Sequence, residues 1–249
     1  MRAIVVALEG PSASGKTTVS SVLARRYRWA RIDEAFDRLR PRPGLRFGSQ
    51  AELAALELRL LDEEARRFRD AQTLALRGRV VVADTSFLDP VTYTVGLLLL
   101  GLATPATFRT VVRHARSLAR QGRLGLPDLT IRLAVSAAIR RDRAAGSPAR
   151  HPRAFRARHE AVGQVEEAFL VPWWAARSPG RVRVVRAGAP ASPTAERVRR
   201  AAGRTTPVRD PCHAAARVLD ELARLPAVRP VLRGRVNLKR TTQPPRRPR

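Results

Sequence analysis

The chain has 249 residues and a formal charge of +27, from 48 Lys and Arg against 21 Asp and Glu, which allows one sizeable α/β domain with a tail. Its single cysteine, Cys212, excludes an internal disulfide framework and a thiolate zinc cluster, so the fold must rest on an apolar core and a reducing cytoplasm suits it. The first apolar run stops after six residues and a later one, Val95 to Ala103, after nine; a helix across a bilayer takes about 20, so neither a signal peptide nor a membrane span is expected.

All but two of the basic residues are arginine, the exceptions being Lys16 and Lys239. Arginine spread so evenly reads as general enrichment more than as a dedicated polyanion surface. A lysine at position 16 therefore marks a place that needs a compact ammonium and not a planar guanidinium.

In chain order, Arg2 to Leu8 is a short run rich in Val and Ile, the pattern of a buried parallel strand, and it leads directly into Gly10. Lys16 to Tyr27 follows as a helix with Val19, Val22 and Leu23 on its apolar side, then Trp29 to Ile32 as a strand ending in Asp33-Glu34. Arg40 to Gly48 is a loop with two prolines and two glycines. Ser49 and Glu52 form a capping box for a helix reaching about Arg77, with an apolar stripe of Leu53, Leu56, Leu60 and Leu61 and an i,i+4 pair between Glu63 and Arg67. Arg79 to Ala83 is a second buried strand, ended by Asp84.

Helical segments at Val91 to Leu102 and Ala106 to Arg120 lead to a strand at Leu129 to Val135, arginine-rich helices to about Phe169, a strand at Arg181 to Arg186, and a closing helix at Ala195 to Ala202. Strands separated by helices predict a parallel sheet of about five strands wrapped on both faces, within residues 1–202. From Gly203 the composition turns basic and proline-rich. Residues 203–249 are expected to be a largely disordered tail with one short helix, His213 to Leu225, able to touch nucleic acid nonspecifically.

Residues Gly10 to Thr17 match G-x-x-x-x-G-K-[ST], the P-loop. Its glycines let backbone N–H groups turn inward onto phosphate oxygens, the helix starting near Lys16 adds its positive end, Lys16 reaches the β- and γ-phosphates, and Thr17 offers a hydroxyl to Mg²⁺. Gly10, Ser12, Ala13, Ser14, Gly15, Lys16, Thr17 and Thr18 are the expected nucleotide contacts. Asp84, at the end of a buried strand, is the expected second metal residue with Thr17, or else a cap for the next helix. The single asparagine, Asn237, excludes the guanine-reading motif of GTPases, and the additional segments of motor ATPases are not found. His114, His151, His159 and His213 have no metal-ligand spacing, and Phe169, Trp173 and Trp174 read as packing residues.

These features resemble the nucleoside and nucleotide kinase group of P-loop proteins. Gly-Pro-Ser-Ala-Ser-Gly-Lys is similar to the loop of cytidylate kinases, Glu9-Gly10 to the start of thymidylate kinases, Pro127-Asp128-Leu129 to a strand of thymidylate and deoxynucleoside kinases, and Asp142-Arg143 to the acidic-Arg pair that opens their lid. The resemblance implies a Mg²⁺- and ATP-dependent kinase acting on a small molecule, with nucleosides and nucleotides as the first acceptors to consider. It implies catalytic roles for Lys16, Glu34, Asp84 and Arg143. Glu34 would be the general base for the acceptor hydroxyl, unless Glu34 and Asp37 are only a solvated helix start. Arg143, with Arg150, Arg153, Arg156 and Arg158, would lie where a lid closes. The triplet Asp84-Thr85-Ser86 departs from the acidic-Arg-Ser triplet of deoxynucleoside kinases, which leaves another small alcohol or phosphate open as acceptor. The alternative reading is a nucleic-acid-associated nucleotide-binding module that works through the basic tail.

Overall fold

The computed structural model describes residues 2–40, 48–145, 153–177, 180–188, 190–225 and 228–232. Five strands, β1 (Val5–Glu9), β2 (Ala30–Ile32), β3 (Val81–Asp84), β4 (Leu129–Ala134) and β5 (Val182–Arg186), form one sheet in the order β2-β3-β1-β4-β5. Every pairing is parallel, as the alternation of strands and helices predicts. The central strand β1 alternates its side chains between two cores. Val5 joins the larger core, built with α3 (Gln50–Leu76), α4 (Asp89–Leu99) and α5 (Pro105–Arg120), while Val6 and Leu8 join the core under α1 (Lys16–Tyr27) and α9 (Ala191–Ala202). The register sets Leu8 beside Asp84 and Glu9 beside Arg132, so Asp84 on the α1 face and Glu9 and Arg132 on the opposite face lie toward the carboxyl ends of the central strands. In open parallel sheets that is where ligands bind.

The remaining helices are α2 (Ala35–Arg38), α6 (Ala137–Ala145), α7 (Arg153–Val165), α8 (Val171–Arg177), α10 (Pro211–Leu222) and α11 (Val228–Leu232); a π-helical turn, Glu166–Leu170, joins α7 to α8. At the start of α3 the Ser49 hydroxyl accepts from the Glu52 N–H at 3.2 Å, but the Glu52 carboxylate accepts from the Gly48 N–H instead of closing the box on Ser49. The expected Glu63–Arg67 pair does not form. Arg67 turns inward to Glu64, three residues back, and Glu63 is engaged by Arg38 and Arg66.

The described chain continues to pack on the sheet beyond the expected boundary at residue 202. Leu219, Leu222, Leu225, Val228 and Val231 are buried in the larger core. Asp128 fastens this segment to the sheet by accepting from Arg2, the Val5 N–H and the Val208 N–H, and the Leu126 N–H donates to Pro211 O at 3.0 Å. The proline that suggested disorder opens α10 at its first turn, where no N–H is needed. The rest of the tail, residues 233–249, and the nucleic-acid contact expected of it lie outside the described residues. Trp173 and Trp174 pack on the core as expected, whereas Phe169 is 53% exposed. Among the described residues no helix is long and apolar enough to cross a membrane.

Candidate active site

The loop between β1 and α1 has the backbone its sequence requires. Gly10 sits at φ 150°, and a Cβ there would meet Ser14 Oγ at 2.8 Å and the Leu133 carbonyl at 3.1 Å, so only glycine fits without displacing backbone. Ala13 and Gly15 also take positive φ, and α1 starts without a side-chain cap, the arrangement that receives an anion on its first N–H groups. Lys16 Nζ lies across the loop and donates to the Gly10 carbonyl at 2.8 Å. Ser14 Oγ is buried without a partner, while Ser12 and Thr18 are exposed at the rim.

Thr17 Oγ1 donates to Asp84 Oδ2 at 2.6 Å, which brings the two expected metal residues together. Asp84 is 2% exposed and its Oδ1 has no partner. Asp84 does not cap α4, whose cap position is Leu88. A hard hydroxyl and carboxylate, one carboxylate oxygen still unspent, suit Mg²⁺, which takes few protein ligands and completes its shell with phosphate and water.

Glu34 stands at the start of α2, directly after β2, and makes no cap bond there. Burial pushes its carboxyl up to about 7, Lys16 and Arg67 oppose the rise, and Asp89 and Asp84 add to it. Glu34 is thus within electrostatic reach of both the P-loop lysine and the metal carboxylate. Arg143, on α6, donates from Nη1 to the carbonyls of Ala13 and Ser14 at 3.3 and 3.1 Å, so the expected lid arginine lies over the loop. Arg150 and the side chains of Arg153 and Arg156 lie outside the described residues; Arg158, on α7, acts electrostatically on Tyr93.

The structure adds polar residues that motif reading missed. Glu9 Oε1 accepts from the Ser86 N–H at 2.9 Å, tying the end of β1 to the turn after β3, and Thr85 in that turn takes the left-handed region at φ 71°, unusual for a β-branched residue. Arg67 of α3 lies beneath this turn. Fully buried, it donates to Glu64 and to the Asp84 carbonyl and lies 5.6 Å over the Phe87 ring. Burial pushes Glu64 and Glu166 up to about 8 and Asp89 up to about 7. Glu57, Glu64 and Arg67 share the inner stripe of α3 with Leu53, Leu61 and Phe68. Charged residues at i, i+7 and i+10 on an otherwise apolar face are the signal that was available in the sequence.

A cavity of about 40 Å³ opens beside Glu9, Arg132 and Glu166, walled by Trp174. A larger groove, about 650 Å³, lies between Tyr27, Trp29 and Arg79 at the other ends of the strands, away from the loop.

An AAA domain family, AAA_28, matches residues 5–123, the stretch from β1 through α5 that carries the P-loop and Asp84. No curated protein matches the chain. Among solved structures, deoxyadenosine kinase from M. mycoides with bound dATP is similar with a TM-score of 0.58 and 14% identity, over 79% of this chain and 98% of that one. Thymidylate kinase from Candida albicans is similar with a TM-score of 0.54 and 16% identity, over 80% of this chain and 90% of that one. The chain therefore has the P-loop fold of nucleoside and nucleotide kinases, as its motifs imply. At these identities the likeness concerns the fold, and chemistry has to be argued from the site.

Proposed function

We propose that the protein is a kinase that transfers the γ-phosphate of ATP to a hydroxyl of a small molecule, with nucleosides and nucleotides as the first acceptors to test. One observation carries this reading: a partly buried carboxyl, Glu34, lies within reach of both Lys16 and Asp84, and Asp84 is already hydrogen-bonded to Thr17 of the P-loop. The loop N–H groups and Lys16 hold the phosphates. Thr17 and Asp84 hold Mg²⁺, which when bound draws charge from the phosphate oxygens. Glu34 takes the acceptor proton as the acceptor oxygen bonds to the γ-phosphorus. The bond from that phosphorus to the bridging oxygen breaks, and ADP leaves. Arg143 lies where it can stabilise charge on the transferring group.

The test is single-turnover transfer from γ-labelled ATP to a panel of nucleosides and nucleoside monophosphates. Lys16→Ala, correctly folded by its melting temperature, should lower the rate by about 10²–10³-fold, the scale for losing one preorganised donor. Transfer at the wild-type rate by Lys16→Ala would remove the P-loop from the mechanism.

A further inference from the structure

Helix α7 is fixed to the fold at three points. Val162 is buried with Leu53, Leu97 and Ala103 and packs so closely on α4 that a Cβ on Gly96 would meet its Cγ1 at 2.6 Å. A Cβ on the next residue, Gly163, would stand 3.9 Å from Pro11 of the P-loop. Just past the end of α7, Glu166 and Glu167 reach Arg132 of β4 at 3.8 and 3.2 Å, and Arg132 is the register partner of Glu9, the residue before Gly10.

Helix α6 has no such support. It is nine residues long, a length that is marginal alone, and its one large apolar side chain, Ile139, is 36% exposed. Among the described residues, the side-chain bonds it makes to other elements come from two arginines. Arg140 Nη1 donates to both carboxylate oxygens of Glu160 on α7, at 2.9 and 2.7 Å, with the Arg140 side chain 14% exposed. Three residues on, and so on the same face, Arg143 Nη1 donates to the Ala13 and Ser14 carbonyls and lies 3.3 Å from where a Cβ on Gly15 would stand. The anchored helix thus holds the unanchored one through Glu160, and that hold places Arg143 on the loop.

We propose that Glu160 is a positioning residue: fixed on α7, it grips Arg140 and so sets Arg143 over the P-loop, where a γ-phosphate would bind. This rests on the kinase reading and deepens it, because Arg143 is the charge donor that reading uses. Glu160 is an anion and does not bind phosphate itself. Removing its charge would, by Coulomb's law alone, tighten the binding of a nucleotide polyphosphate. Losing its hold on Arg140 would instead loosen the γ-phosphate, so the two effects differ in sign.

The experiment is calorimetry on the full chain with Mg²⁺, comparing ADP with β,γ-imido-ATP; the ratio of the two affinities isolates the γ-phosphate. The wild type should prefer the triphosphate by at least about tenfold, the scale of a hydrogen bond between charged groups. Glu160→Gln, checked by melting temperature, should lower that preference by at least about fivefold while ADP affinity stays within about twofold. Arg140→Gln, the opposite change of charge, should do the same, and it serves if the first variant does not fold. In an Arg143→Ala background Glu160→Gln should remove nothing further, because one guanidinium carries both effects. Hydrogen exchange of the ligand-free chain is the second readout: Glu160→Gln should speed the amides of α6 at least about tenfold and leave those of α7 unchanged. Any of five results overturns the inference: no triphosphate preference in the wild type, a preference at or above wild type in Glu160→Gln, equal losses for ADP and analogue, additive loss in the Arg143→Ala background, or unchanged exchange in α6. If neither nucleotide binds, the kinase reading itself falls, and exchange alone decides whether Glu160 holds α6.

Discussion

Glu34 and Asp84 lie in one electrostatic neighbourhood but make different predictions. A base near 7 works only when deprotonated, so transfer should rise about tenfold per pH unit below about 7 and level off above it. Glu34→Gln should abolish that limb and cut transfer by about 10²–10⁴-fold, with Mg·ATP binding near wild type. Asp84→Asn should instead raise the Mg²⁺ requirement and slow both transfer and the background hydrolysis of ATP; the reverse pattern in calorimetry and single-turnover assays would exchange the two roles. Arg67 offers a stability test at the same scale. Removing it leaves Glu64 buried without its guanidinium, so Arg67→Met should cost about 3–5 kcal/mol, and adding Glu64→Gln should restore much of that in denaturant unfolding. The P-loop and Asp84 were legible in sequence because fixed spacing and the end of an apolar strand announce them. Arg67 was not, because helix periodicity shows which face a residue occupies but not whether a charge there finds Glu64 or Glu63.

At the scale of elements, close contacts explain how helices are held to the sheet. A Cβ on Gly125, in the turn before β4, would come within 2.4 Å of Phe68 Cζ on α3 and 3.1 Å of the Pro211 backbone at the start of α10. Gly125→Ala should therefore destabilise by about 1–3 kcal/mol through overpacking, a shift that thermal unfolding resolves and that an unchanged melting temperature would contradict. Strand and helix positions followed from apolar runs and periodicity, since β1 and β3 read as Val-rich runs and α3 as a stripe with a Ser49 cap. The expected short helix, His213 to Leu225, is present as α10, but its packing on the core was not foreseen. Ala215, Leu219 and Leu222 have helical spacing, but the stripe is short and framed by arginine and proline, so composition outweighed period.

At the scale of the whole molecule, deleting residues 203–249 should unfold the domain, because each buried Leu or Val lost from α10 and α11 is worth about 1.5–3 kcal/mol. A truncated protein that melts like the full chain would return the boundary to residue 202. The clustered carboxyls set the pH response of the whole fold. Glu34, Glu64, Asp89 and Glu166 bind protons more tightly folded, at about 7 to 8, than an unfolded chain does at about 4. Their contribution is fully present below the unfolded values and is lost as pH rises through the folded ones, so the melting temperature of the free protein should fall between about pH 5 and pH 8.5. The strand order carries a consequence for synthesis. β1 leaves the ribosome first yet lies in the middle of the sheet, and its two neighbours, β3 and β4, begin at residues 81 and 129. The apolar segment Val5 to Leu8 therefore keeps both edges open until β3 is made and one edge open until β4 is made. Asp128 cannot complete its contacts until Val208, 80 residues further on, has emerged, so the sheet is fastened to the segment before α10 only well after its central strands are made.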